Sequence, residues 1–187
     1  MTMEATEILM DEHRVIERVL SALEVAADRL DRGEPVQASF FTDCADFAAG
    51  FADGCHHRKE EDVLFPAMAA AGIPQEGGPL GVMLHEHEEG RSFIRGLRQS
   101  TRAMAGGDAA ARDELVSNAR GYVALLRAHI AKEDMVLFPM AGAAIAPGEQ
   151  ARVAEAFEHI EQAEGNAGMH QRYLSLADRL VAEAGGG

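Results

Sequence analysis

Two stretches of the chain combine histidine and carboxylate at a spacing suited to metal binding. Residues 56–66 read HHRKEEDVLFP and residues 129–139 read HIAKEDMVLFP, with His56 and His129 standing 73 residues apart. Aligning these two histidines also matches Lys59 with Lys132, Glu60 with Glu133, Glu61 with Asp134, and the Val-Leu-Phe-Pro of 63–66 with that of 136–139. In each copy a His precedes a Glu by four positions. On a helix such side chains share a face, about 40° apart, and can reach one ion. The copies read as two halves of one metal site.

The elements that must carry these residues are helices. In the first, over about 3–30, the apolar stripe runs Leu9, His13, Ile16, Leu20, Leu23, Ala27, Leu30, with one histidine among its fours and threes. Gly33 and Pro35 stop it. A second helix, about 36–70, carries Phe40, Phe47 and Phe51 before the first copy, and GIPQEGGP over 72–79 closes the hairpin. The third opens near Leu80 with the stripe Met83, His87, Gly90, Ile94, Leu97, Thr101, Met104. The fourth presents Leu115, Ala119, Tyr122, Leu126, His129, Glu133, Val136 and Met140. Met10-Asp11-Glu12-His13 parallels Leu84-His85-Glu86-His87, and His13 to His56 spans 43 residues where His87 to His129 spans 42. The expected fold is all-α: a duplicated helical hairpin forming an up-down-up-down four-helix bundle over residues 1–146. A helical extension over 147–187, broken at Gly165-Asn166-Ala167-Gly168, is expected to pack along it.

A single histidine on an apolar stripe is ordinarily a core residue bonded to a neighbour. Here four stripes each bring one to the buried seam, and two add a Glu one turn later. Burying four imidazoles and two carboxylates with no cation costs several kcal/mol per ionised group, and a shared cation offsets that cost. Six donors exceed a closed zinc site, and four imidazoles are too rich in nitrogen for magnesium or calcium. With no thiolate on the seam, two first-row ions fit best, iron foremost. Each Glu can bridge the pair and two His can cap each ion, leaving room for an oxo or hydroxo bridge and a small ligand. Dioxygen, hydrogen peroxide or nitric oxide is the expected small molecule, and a redox partner protein the expected macromolecular contact.

Composition narrows the setting. Seventeen basic against 31 acidic side chains give a net charge of −14, with no Lys/Arg cluster to grip phosphates, so nucleic acid is not an expected partner. No apolar run approaches the ~18 residues of a membrane span, and MTMEATE has no signal-like apolar core. A soluble, cytoplasmic protein is expected. Cys44 and Cys55 on one helix would lie roughly 16 Å apart, too far to bridge, and are expected as free thiols in the helix packing.

His13, His56-x-x-x-Glu60, His87 and His129-x-x-x-Glu133, with Leu-Phe-Pro after each acidic pair, resemble the hemerythrin-like (HHE cation-binding) family over about residues 5–145. The resemblance implies a four-helix bundle with a non-haem di-iron centre held by His13, His56, Glu60, His87, His129 and Glu133. The oxygen-carrying members bring a fifth His from the third helix, four residues after the first, where this chain has Arg91; their Asp five residues after the fourth-helix His is matched by Asp134. Losing that fifth His turns the expectation from oxygen carriage to redox chemistry, catalase-like or reducing dioxygen or nitric oxide. The alternative is a binding module for oxygen or iron sensing, iron storage or iron donation. His57 and Glu61 form a rival pair, but the repeat favours His56, because the counterpart of His57 is Ile130. His57, His85, His159 and His170 are expected at the surface or behind the donors, and Tyr122 in core packing.

Overall fold

The computed structural model describes residues 5–162 and 168–185, and among these every regular element is helical. Helix α1 is Ala5–Asp31. Helix α2, residues 38–70, is α-helical over Ala38–Phe47 and Phe65–Ala70 but winds as a π-helix over Ala48–His57 and Glu60–Leu64. Helix α3 is Pro79–Ala105. Helix α4, residues 111–144, repeats the pattern of α2: α-helical over Ala111–Lys132, π over Glu133–Leu137, α again over Phe138–Ala144. The extension supplies α5, Pro147–Gln162, and α6, Met169–Gly185. Of the expected break in the extension, residues 165–167 lie outside the described residues.

The hairpin corners follow from local chemistry. At the end of α1 the N–H of Gly33 donates to the Leu30 carbonyl and that of Glu34 to Arg29, the double bond of a left-handed cap, with Gly33 at φ +82°. Gly107, at φ +95°, closes α3 in the same way, through Met104 and Ala103. α3 packs along α4, α4 along α1, and α2 along α3, while α6 lies against both α1 and α2.

The stripes read from the sequence are buried in α1 from Leu9 to Leu30 and in α3 from Met83 to Thr101. In α4 the stripe holds as far as Glu133 and then slips by one residue. Val136, expected inside, is 53% exposed, and Leu137 is buried in its place. The π turn at Glu133–Leu137 is the cause: one residue more per turn rotates everything after it. Pro66 and Pro139 stand second in the α-helical segments that resume after each π stretch.

The apolar core falls into two clusters. One gathers α1 from Ile16 onward, the first half of α2, and the facing parts of α3, α4 and α6; the other gathers Leu9, Leu64, Phe65, Leu80, Met83, Leu137 and Phe138 with Val153 and Phe157 of α5. Between them lies a buried polar layer of Glu12, His13, His56, His57, Lys59, Glu60, His87, His129 and Glu133. Cys44 is buried, Cys55 half-buried, and both are free. None of the described helices is long and apolar enough to cross a membrane.

Leu180 of α6 is fully buried in the first cluster. Leu180→Ala is expected to lower unfolding stability by about 2–5 kcal/mol in urea titration. A loss near zero would show that α6 is not docked in solution.

Candidate metal centre

The six residues singled out in the sequence converge in the polar layer. His13 Nε2 and His56 Nε2 stand 3.0 Å apart, and His87 Nε2 and His129 Nε2 stand 3.1 Å apart. Glu60 and Glu133 lie between the two pairs. Glu60 presents Oε1 to His56 at 3.5 Å and Oε2 to His87 at 3.4 Å; Glu133 presents Oε2 to His13 and Oε1 to His129, each at 3.2 Å. Each carboxylate therefore gives one oxygen to each histidine pair.

The donor set fits cations. All four carboxylate oxygens of Glu60 and Glu133 are buried without a hydrogen-bond partner, an arrangement that is costly unless a positive charge serves them. Two nitrogens bonded at ~2.1 Å to one ion at a right angle would stand about 3 Å apart, which is the separation found in both histidine pairs. His13, His56, Glu60 and Glu133 form one group able to hold an ion, and His57, Glu60, His87 and His129 form another.

Behind the donors runs a second set of contacts, repeated in both hairpins. His13 Nδ1 meets Asp134 at 2.7 Å, and His87 Nδ1 meets Glu61 at 2.7 Å. His56 Nδ1 meets Glu12 at 3.0 Å, and His129 Nδ1 meets Glu86 at 2.9 Å. Each outer carboxylate has its own cation: Arg14 on Asp134, Arg91 on Glu61, Lys59 on Glu12 and Lys132 on Glu86. A carboxylate on Nδ1 fixes the tautomer, turning Nε2 with its lone pair inward. The phenylalanines of the repeat stack on the same rings, Phe138 on His13 and Phe65 on His87.

Electrostatics follow from these contacts. Burial works against a charged His13, yet the carboxylates of Asp134 and Glu133 raise its pKa to about 9; His87 is likewise opposed by burial and raised to about 9 by Glu60 and Glu61. Burial would also favour neutral Glu133, but His129 and His13 hold it ionised well below the usual carboxylate range. His57 is the opposite case. Burial, then the neighbouring His87, His56 and His129, push its pKa down, so it stays neutral.

His57 corrects the sequence expectation. It was placed at the surface or behind the donors, but it is 4% exposed and belongs to the second group. Neighbours on an α-helix point about 100° apart, whereas the π winding of Ala48–His57 narrows that angle and lets His56 and His57 both face inward. Glu61 goes behind, to His87. His85 and His159 are exposed, and Tyr122 is buried in the core. His170 folds back from α6 to within 3.9 Å of Glu12 and of Glu161. That outer group, with Cys55, already holds a cation, since the Lys59 ammonium pairs with both carboxylates. The roles of Glu12, Glu86, Lys59 and Lys132 went unread, although the repeat had paired them.

Two outcomes are expected of these contacts. A histidine whose folded pKa lies above its unfolded value near 6.5 contributes stability that is complete below 6.5 and lost as pH rises through about 9. The melting temperature of the metal-free protein should therefore fall over that window in thermal melts, and the fall should shrink once cations replace the protons. Glu12→Gln and Glu86→Gln should each weaken metal binding about 10–100-fold in competition titrations with a chelator.

Residues 4–141 match the Hemerythrin HHE cation binding domain. Rv1995 of Mycobacterium tuberculosis (strain ATCC 25618 / H37Rv) is 30% identical over 175 residues, which cover 93% of this chain and 68% of that protein. A Mycobacterium bovis protein, Mb2018, shows the same identity and coverage. The iron-sulfur cluster repair protein YtfE of Dickeya chrysanthemi is 32% identical over 88 residues, 46% of this chain and 40% of that protein. No solved structure matches. With the domain match running from α1 into α4 over the whole of the histidine and carboxylate layer, the chain belongs to the hemerythrin HHE cation-binding domain family.

Proposed function

We propose that the chain is a non-haem di-iron protein that turns over a small oxidant: hydrogen peroxide, dioxygen or nitric oxide. The observation that carries this is the division of Glu60 and Glu133, each with one oxygen toward His13/His56 and the other toward His87/His129. Two ions, not one, satisfy that arrangement, and a nitrogen-rich set without thiolate suits iron. Bound there, two irons supply Lewis acidity and electron transfer to an oxygen- or nitrogen-containing ligand.

The protein's own part is orientation and access. Asp134, Glu12, Glu61 and Glu86 hold the four imidazoles with Nε2 inward. Phe65 and Phe138 wall the layer on one side. A cavity of about 200 Å³ reaches from the exposed Arg95 down to His57, His87 and Tyr122. Its lining is largely apolar, with Ala48, Ala49 and Ile94 among it, and it has room for a diatomic molecule or peroxide. The Tyr122 phenol is held protonated by burial and stands on this wall.

The likeness to the iron-sulfur cluster repair protein favours a second reading, in which the centre stores or donates iron without turnover. Protein produced with ample iron should hold two irons per chain, and Glu60→Ala and Glu133→Ala should each lower that number in elemental analysis. Peroxide added to the loaded protein should be consumed over many turnovers with gas evolved. A stable, reversible oxygen adduct with no consumption would overturn the enzyme reading, and transfer of iron to an apo iron-sulfur protein would establish the donor. Bound zinc in place of iron would overturn both.

A further inference from the structure

We infer that His57 is a fifth imidazole donor, completing the ion site of His87 and His129, so that one iron of the pair carries two histidines and the other three. The inference rests on the two-iron reading above.

Three observations support it. Both ring nitrogens of His57 are buried with no hydrogen-bond partner; Asp53 stands 3.5 Å from Nδ1 without making a hydrogen bond. A neutral imidazole left so is costly to bury unless something takes its lone pair. Next, a His57 nitrogen lies within 4.8 Å of donor atoms of Glu60, His87 and His129, whereas the fourth member of the group around His13, His56 and Glu60 is the carboxylate of Glu133. Its ring now stacks on His87 at 3.9 Å, tilted only 11°, with the His129 ring edge-on at 5.6 Å, so His57 must turn about its side-chain torsions to aim a nitrogen at the ion that His87 and His129 would hold. Finally, the neighbouring helix offers no competitor. Arg91, one turn after His87, is spent on Asp53, Glu61 and Glu88 and so steadies the carboxylate behind His87. The added donor comes from α2 because the π winding of Ala48–His57 turns two consecutive histidines inward.

An uneven donor set makes the two irons inequivalent, and His57, on the cavity wall, sets how that iron meets an incoming ligand. The test uses the full-length protein, reconstituted anaerobically with ferrous iron and then oxidised, with His57→Ala and the more conservative His57→Gln beside it. Circular dichroism of each metal-free variant checks that the bundle is formed. The wild type should hold two irons giving two Mössbauer doublets of equal area. Both variants should bind the second iron more than about 100-fold more weakly, beyond the roughly 10–100-fold that loss of an outer partner costs, or should show changed doublets, and free imidazole should restore the pattern in His57→Ala. Two irons with unchanged doublets in both variants would overturn the role of His57 and leave the di-iron reading intact. A wild type without an iron pair would overturn the di-iron reading itself, and this inference with it.

Discussion

Four carboxylate oxygens sealed inside a helical bundle, with no hydrogen-bond donor aimed at them, set the terms for everything else in this molecule. Glu60 and Glu133 are fully buried, and among the described residues the only cation-forming groups paired with them are the facing imidazoles. Without metal, protons held on His13 and His87 provide it. Removing one member of such a buried pair typically costs about 3–5 kcal/mol, so the metal-free layer depends on those protons staying in place until cations replace them.

The fold accommodates that charged layer by isolation and by repetition. The polar layer is bounded above and below by two apolar clusters, so most of the packing lies outside the site. The outer ring of four carboxylates, each with its own cation, keeps the imidazoles in one orientation. Two of those cations, Arg14 and Lys132, are well exposed: the Arg14 side chain is 53% exposed, and a pair of that kind adds at most about 1 kcal/mol. Its value lies in aiming His13 through Asp134 rather than in holding helices together.

Much of this was legible in the chain itself. The stripe of α1, the duplication and the inward facing of the six His and Glu side chains follow from spacing, because α-helical periodicity maps sequence onto faces, and the α1 corner follows from Gly33 itself. What escaped was whatever departs from that periodicity. Val136 was misplaced and His57 was sent outward because both lie in or beside π turns, and no residue in HHRKEEDVLFP announces that winding. The outer carboxylates were half visible. Glu12 and Glu86 sit at matching places in the two hairpins, but which side chain meets which ring depends on how the helices cross, and periodicity does not carry that information.

The extension breaks the equality of the two hairpins. Lys132 keeps 43% of its side chain in solvent beside Glu86, whereas Lys59, its counterpart beside Glu12, is shut away completely beneath Phe157 and Glu161 of α5. A duplicated centre that would otherwise face water alike from both flanks thus acquires a wet flank and a dry one. The His129 imidazole is thus backed by a half-exposed ammonium–carboxylate pair and the His56 imidazole by a buried one, an asymmetry built into the order of the chain.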